Sequence, residues 1–333
     1  MLFKIVMFAT ASAAIYLLLA VGLVMSQRPP ANPDPGDGGI GFAEALEADY
    51  ASLPRPVMFT ARDGTALAYR RYDAAGGADR FVILVHGSAW HGMQFHPMAA
   101  AIADAGLATV IVPDMRGHGK NPVRRGDVDH IGQLEEDIAD LIGLLGKERP
   151  DAQIVLGGHS SGGGFVVRFA GGRYGDLADA NILLAPFLKY NAPTTRENSG
   201  GWARPATRRI IGLTMLNAVG IRALNHLPVI SFAMPAVVLD GPLGNTATTA
   251  YTYRMNTSFA PRSDYGGDLA HLGAPFLVVA GNADESFRAE LYEETIAAHV
   301  SGGTYRVLPE VSHLGVVTRP EAIETVLEWL RSL

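Results

Sequence analysis

The chain has 333 residues, is 48% apolar and carries a formal net charge of −6, which suits one globular domain with an attachment. Its densest basic places, Arg124-Arg125 and Arg204 to Arg209, are short and lack interleaved aromatic residues, so no nucleic-acid partner is expected. Cysteine is absent, which excludes disulfides, a thiol nucleophile, cysteine-held haem or iron–sulfur clusters and a lipid-modified cysteine.

In chain order, the first element is an uncharged run from Ile5 to Met25, with Lys4 before it and Arg28 after it. Its length can cross a bilayer, which takes about 20 residues. A cleaved signal usually has an apolar region of about 7–15 residues before a small-x-small site, and Ala20-Val21-Gly22 is a weak site. Residues 1–28 are therefore read as a membrane anchor in preference to a signal segment. With Lys4 kept inside, the rest of the chain lies outside the cytoplasm, periplasmic when anchored and secreted if cleaved. Residues 29–55 read as a Pro/Gly-rich linker and lead-in, because Pro29 to Gly39 has many breakers and few apolar groups.

From residue 56 onward the pattern changes. Val57 to Ala61 and Ala66 to Tyr72 flank Asp63-Gly64, a hairpin signal. Phe81 to Val85, Ala108 to Val112, Ile154 to Leu156, Asn181 to Ala185, Phe276 to Ala280 and Thr304 to Leu308 are compact apolar runs without alternation, as in strands covered on both faces. Ile131 to Lys147 repeats apolar residues at helical spacing, and Thr318-Arg319-Pro320-Glu321 reads as a capping box opening the last helix. The alternation predicts an α/β fold, a mostly parallel central sheet flanked by helices over residues 56–333. Between about residues 187 and 268 the rhythm breaks around an apolar stretch from Ile210 to Leu239, and an inserted helical cap over the strand ends is expected there.

One turn carries chemistry. Gly158-His159-Ser160-Ser161-Gly162 lies between a strand and a helix and has the Gly-x-Ser-x-Gly spacing of a nucleophile elbow. The glycines choose Ser160, since Ser161 would be flanked by His159 and Gly163. A serine hydroxyl needs a base to take its proton and a third group to orient that base. Of ten histidines, His313 stands just after the last strand among small and polar neighbours. His159 is expected to point away from the nucleophile, His86 to serve a turn, and His226, His271 and His299 to be structural. Asp284 ends a strand in a glycine-containing turn, and it could equally cap a helix starting near Ser286. The order Ser160, Asp284, His313, each just past a strand, is the order this elbow uses. A developing oxyanion needs N–H donors; Ser161 supplies one at the helix start and Ser88, in His86-Gly87-Ser88, is the expected second. His86, His91 and His96 do not share a helix face, so no metal is expected.

On these pieces the chain resembles the α/β-hydrolase superfamily, and within it the lysophospholipase and monoacylglycerol lipase-like group of the serine aminopeptidase S33 type, across about residues 56–333. The matching motifs are Asp63-Gly64, His86-Gly87-Ser88, Asp114-Met115-Arg116-Gly117-His118-Gly119, Gly158 to Gly162, Asp284 and His313. The resemblance implies a triad of Ser160, Asp284 and His313, an oxyanion hole at Ser88 and Ser161, a structural role for Asp114 to Gly119, and no cofactor. Lys120-Asn121 and Trp90 depart from the residues common in relatives. The function this implies is a serine hydrolase of carboxylic esters with a small-molecule or lipid-like substrate. The same triad would also serve a peptidase, amidase or acyltransferase, and a chain with an idle site would be a binding module.

Overall fold

The computed structural model describes residues 1–31, 33, 39–273 and 275–333; residues 32 and 34–38 of the expected linker lie outside the described residues. Among the described residues eleven strands are formed: β1 (Val57–Thr60), β2 (Ala66–Tyr72), β3 (Arg80–Val85), β4 (Thr109–Pro113), β5 (Gln153–His159), β6 (Ala180–Leu184), β7 (Ala203–Pro205), β8 (Pro228–Phe232), β9 (Ala250–Thr252), β10 (Phe276–Gly281) and β11 (Gly303–Leu308).

Eight of them build one sheet in the order β1-β2-β4-β3-β5-β6-β10-β11. The β1–β2 hairpin pairs antiparallel with the edge at β4, and every pair from β4 to β11 is parallel. The unbroken apolar runs are the reason for this arrangement. A strand such as Phe81–Val85, buried along its whole length, must be covered on both faces, and parallel crossovers lay helices on both.

Six helices matter below: α1 (Leu2–Met25), α2 (Ala43–Glu47), α3 (His96–Asp104), α4 (Gln133–Glu148), α5 (Ser161–Ala170) and α6 (Thr207–Ala218). In α4, Leu134, Ile138, Leu141, Ile142 and Leu145 form the buried stripe. The C-terminal helix Pro320–Ser332 starts differently from the capping-box reading. Thr318 ends a separate turn and its Oγ1 donates to Leu314 O, Arg319 is the N-cap and makes no side-chain capping bond, and Pro320 takes the first helical position. A missing N–H costs nothing there, so proline replaces the hydroxyl cap.

The insertion between β6 and β10 carries α6 and short helices, and also a three-stranded antiparallel sheet, β7-β8-β9. The cap is thus mixed where a helical one was expected. Its strands hold few residues, and Pro205 and Pro228 obscure their pattern in the sequence. The lead-in is not peripheral either: Phe42 and Ala45 are buried in the main core, and Phe42 packs its ring on Trp90 and Trp202.

Helix α1 is long and apolar enough to cross a membrane. Residues before Tyr16 are exposed, whereas Ala20 and Val24 are buried against Leu213, Leu216, Val229 and Tyr253.

A pair of alanine substitutions tests how the sheet centre is held. A Cβ on Gly162 would stand 2.1 Å from Val85 O, whereas one on Gly143 in α4 meets nothing within 4 Å. Gly162→Ala is expected to lower the yield of folded protein and its melting temperature. Gly143→Ala is expected to raise stability by about 0.5–1 kcal/mol in urea unfolding.

Candidate active site

Ser160 stands between β5 and α5 with φ 55° and ψ −120°. A residue with a side chain held there stores roughly 1–3 kcal/mol, which the surroundings must offset. Three backbone bonds do so: Ser160 N–H donates to Leu184 O at 2.9 Å, and Ser160 O accepts from Gly164 N–H at 3.0 Å and Phe187 N–H at 2.9 Å. The glycines at 158 and 162 are forced by contact, because a Cβ on Gly158 would lie 2.3 Å from Gly162 C.

Asp284 follows β10 and is buried. Its two oxygens have separate partners. Oδ1 accepts the N–H groups of Ser286 (2.7 Å) and Phe287 (2.8 Å), and Oδ2 lies 2.8 Å from His313 Nδ1. The aspartate therefore closes a turn and meets the histidine at once, and the next helical turn begins only at Ala289. His313 Nε2 is buried and has no hydrogen-bond partner among the described residues. The His313 ring lines one crevice together with Gly87, Ser88, Ser160 and Trp202.

The loop of His313 is held at both ends of its peptide unit. Its N–H donates to Glu285 Oε2 (2.9 Å), and its carbonyl accepts from His159 Nε2 (2.9 Å), whose Nδ1 in turn accepts from Gln94 Nε2 (3.0 Å). The sequence places His159 pointing away from the nucleophile. Instead its ring centre lies 4.6 Å from that of His313 and braces it. No sequence signal marks this pair, which is separated by 154 positions.

On the opposite wall, His86 Nδ1–H donates to Gly87 O (2.8 Å), and its Nε2 accepts from Met115 N–H (3.1 Å). This fixes the turn that presents Ser88. The cap holds Ser88 and Ala89 in place. Ser88 Oγ accepts from Trp202 Nε1 (3.1 Å), Ala89 O accepts from Thr248 N–H (2.9 Å), and Ala89 N–H donates to Tyr251 Oη (2.8 Å). Tyr251 Oη in turn donates to His118 Nε2 at 2.5 Å, and His118 Nδ1–H donates to Arg116 O at 3.1 Å. Ala89 needs such support because its φ is 65°. Ser161 N–H heads α5, where the first N–H groups have no acceptor within the helix. Trp202 and Tyr251 are not legible as site residues in the sequence, because the cap offers no pattern to place them.

His86, His91 and His96 have three separate surroundings. His91 stacks on Trp90, and His96 meets the hydroxyls of Tyr72 and Ser52. Asp114 accepts from Gly92 N–H, and Arg116 pairs with Asp63 and Asp137. These bonds tie the opening hairpin, the turn after β4 and α4 together.

Ser88, Ser160 and Ser161 also open onto a partly open cavity walled by Phe187, Trp202, Ile230, Phe232, Phe259 and Phe287. Among the described residues its lining includes no aspartate or glutamate.

The family described as serine aminopeptidase, S33 matches residues 76–316, more than half of the chain. The chain belongs to this family. Over 105 residues it is 34% identical to a monoacylglycerol lipase of Mycolicibacterium smegmatis, a stretch covering 32% of this chain and 37% of that protein. It is 23% identical over 240 residues to the monoglyceride lipase of Homo sapiens, covering 71% and 74% of the two chains. The chain thus spans little more than a third of the length of the mycobacterial relative. Among solved structures, a soluble variant of monoglyceride lipase from Saccharomyces cerevisiae superposes with a TM-score of 0.63 at 15% identity, covering 86% of this chain and 98% of that one. A thermophilic esterase from Thermogutta terrifontis gives 0.57 at 23% identity, covering 84% and 98%. The fold is that of the α/β hydrolases.

The buried histidines make the stability of this S33-family chain depend on pH. Burial holds His86, His91, His118 and His159 below the usual imidazole range. An unfolded chain takes up these protons near pH 6.5 and the folded one does not. Stability from these rings is therefore present above about pH 6.5 and lost below it, by up to about 1.4 kcal/mol per histidine per pH unit. Urea midpoints should stay level from pH 8 to about 6.5 and fall steeply towards pH 5; a level profile would mean that the folded rings accept protons. Tyr251→Phe leaves Ala89 N–H and His118 Nε2 without their shared partner, and should cost about 1–3 kcal/mol in urea unfolding with an unchanged slope.

Proposed function

We propose that the chain is a serine hydrolase that cleaves carboxylic esters bearing an apolar acyl or alcohol group. The observation that carries this reading is the Asp284–His313 bond beside Ser160, at the mouth of an aromatic cavity without an acidic side chain among the described residues. Ser160 Oγ attacks the ester carbonyl carbon while His313 Nε2 takes its proton, and Asp284 holds the proton of Nδ1. The oxyanion accepts hydrogen bonds from the N–H groups of Ser88 and Ser161. The carbon–oxygen bond to the alcohol breaks as His313 returns the proton to it, leaving the acyl group on Ser160. Water, deprotonated by His313, then releases the acid. His313 Nε2 suits this duty, because it is buried and has no competing protein partner among the described residues.

Lipid-like esters are the substrate class we favour. The cavity wall supports it, as do the relatives named as monoacylglycerol and monoglyceride lipases. An aminopeptidase, as the family's description suggests, would need a carboxylate for the substrate's ammonium group, and among the described residues the cavity lining offers none. We further infer that α1 anchors the protein in a membrane, with the hydrolase domain outside the cytoplasm. Its length and composition support a span.

A fluorophosphonate probe is expected to label the wild type and not Ser160→Ala. Ser160→Ala and His313→Ala should each lower kcat on a nitrophenyl ester by at least about 10⁴-fold. Labelling that survives in Ser160→Ala would overturn the nucleophile. Rates across nitrophenyl esters should rise from acetyl to octanoyl, and a preference for acetyl would overturn the lipid-like class.

A further inference from the structure

The seam between α1 and the cap has a direction. Tyr16 Oη donates to Met215 O at 2.9 Å, Arg209 Nε donates to Val24 O at 3.0 Å, and Arg208 donates to Ser26 O and to Gln27 Oε1 at 3.1 and 2.8 Å. Rising residue numbers in α1 thus meet falling ones in α6, and the two helices run antiparallel. Gly212 allows the close approach, since a Cβ there would stand 2.5 Å from Ala20 O and 2.8 Å from Val24 Cγ2.

Helix lengths then constrain the membrane level. The uncharged part of α1 clear of the cap, Ile5 to Ile15, is about 16 Å long at 1.5 Å per residue. A hydrocarbon core of about 30 Å needs roughly nine residues more. Those residues, Tyr16 to Val24, turn Tyr16, Ala20 and Val24 towards the cap. A bilayer that surrounds α1 must therefore also meet the outer face of α6.

That face has the composition of a lipid contact. Ile211, Val219 and Ile221 are 47%, 53% and 39% exposed. From Asn198 to Leu239 there is no acidic residue, while Arg204, Arg208, Arg209 and Arg222 are all present. Arg208 is exposed at the level of Ser26, the outer end of the span, where its guanidinium group can meet phosphate.

We propose that the outer face of α6 and the turn through Ile221 form a membrane-seated surface of the cap, whose occupant is the anionic outer layer of the bilayer that α1 crosses. The inference rests on reading α1 as a bilayer span. It deepens the proposed function, because one strand joins the two regions: in β8, Val229 is buried in the seam cluster and Ile230 and Phe232 line the cavity at Ser160. Acyl chains leaving the bilayer beside α6 enter the cap there. A cleavage after Gly22 would remove Ala20 from the seam and uncover Leu213 and Leu216, so on this reading α1 is a permanent wall of the cap.

The absence of cysteine makes the test clean. Single cysteines at Ile15, Ile211, Val219, Ile221 and, as a control on β11, Val307 are labelled with a nitrobenzoxadiazole dye. The full chain is placed in vesicles of phosphatidylcholine and phosphatidylglycerol, with doxyl lipids as quenchers. Labels at 15, 211, 219 and 221 are expected to lose at least about half their emission, and the label at 307 very little. Gly212→Leu should restore emission at 219 while leaving 15 quenched. Quenching at 15 with emission at 211, 219 and 221 matching that at 307 overturns the proposal alone. No quenching at 15 overturns the anchor and the proposal together. Emission at 219 quenched only by a second, spin-labelled copy of the chain places that copy on the face and overturns it as well. Fluorophosphonate labelling of each variant reports separately on the serine-hydrolase reading.

Discussion

Ser160 occupies a backbone conformation that a residue with a side chain adopts only under constraint, and much of the molecule supplies that constraint. Its N–H and carbonyl are bonded to β6, α5 and the chain leaving β6, so the turn is fixed only when β5 and β6 are in register. The two glycines let helix and strand approach to a distance that no Cβ would fit. Behind α5, Arg168 meets Glu135 of α4, which also pairs with Arg262 at the exit of the cap. Arg168 and Glu135 are nearly enclosed, and removing one of them would leave the other costly to bury. The strained turn thus sits at the junction of sheet, helix layer and cap.

Legibility in the sequence follows the range of the interaction. Strands β3, β4, β5, β6 and β10 of the main sheet can be read because each is a short apolar run bounded by breakers, the β1–β2 hairpin because Asp63-Gly64 marks its turn, and α4 because its apolar residues recur every three or four positions. The elbow, Asp284 and His313 can be read because each is local: a residue type at the end of a strand, beside glycine or small neighbours. Pairwise bonds between distant segments cannot. His159 meets the His313 carbonyl, Trp202 meets Ser88, and Tyr251 meets Ala89 and His118 across large separations. Each of these residues would satisfy its own segment equally well in another setting. The cap strands are hidden for a different reason, since the three residues of β7 and of β9 carry no periodicity and β8 opens on a proline.

Two residues show how a reading can be incomplete without being misplaced. Asp284 suits a turn former and a partner for histidine alike, and it serves both because a carboxylate has two oxygens with independent geometry. In the sequence Trp90 is only a departure from the residues common in relatives. It packs on Phe42 from the lead-in and stacks on His91, so the segment that reads as a tether reaches into the wall of the crevice.

The seam between α1 and α6 also sets an order of events during synthesis. Val24 leaves the ribosome long before Gly212, and at about 5–20 residues per second the interval is about 10–40 s. Throughout that time the face carrying Ala20 and Val24 has no protein to cover it. The helix made before the cap is therefore completed after it, and the cap must find a partner that has been waiting since long before its own synthesis.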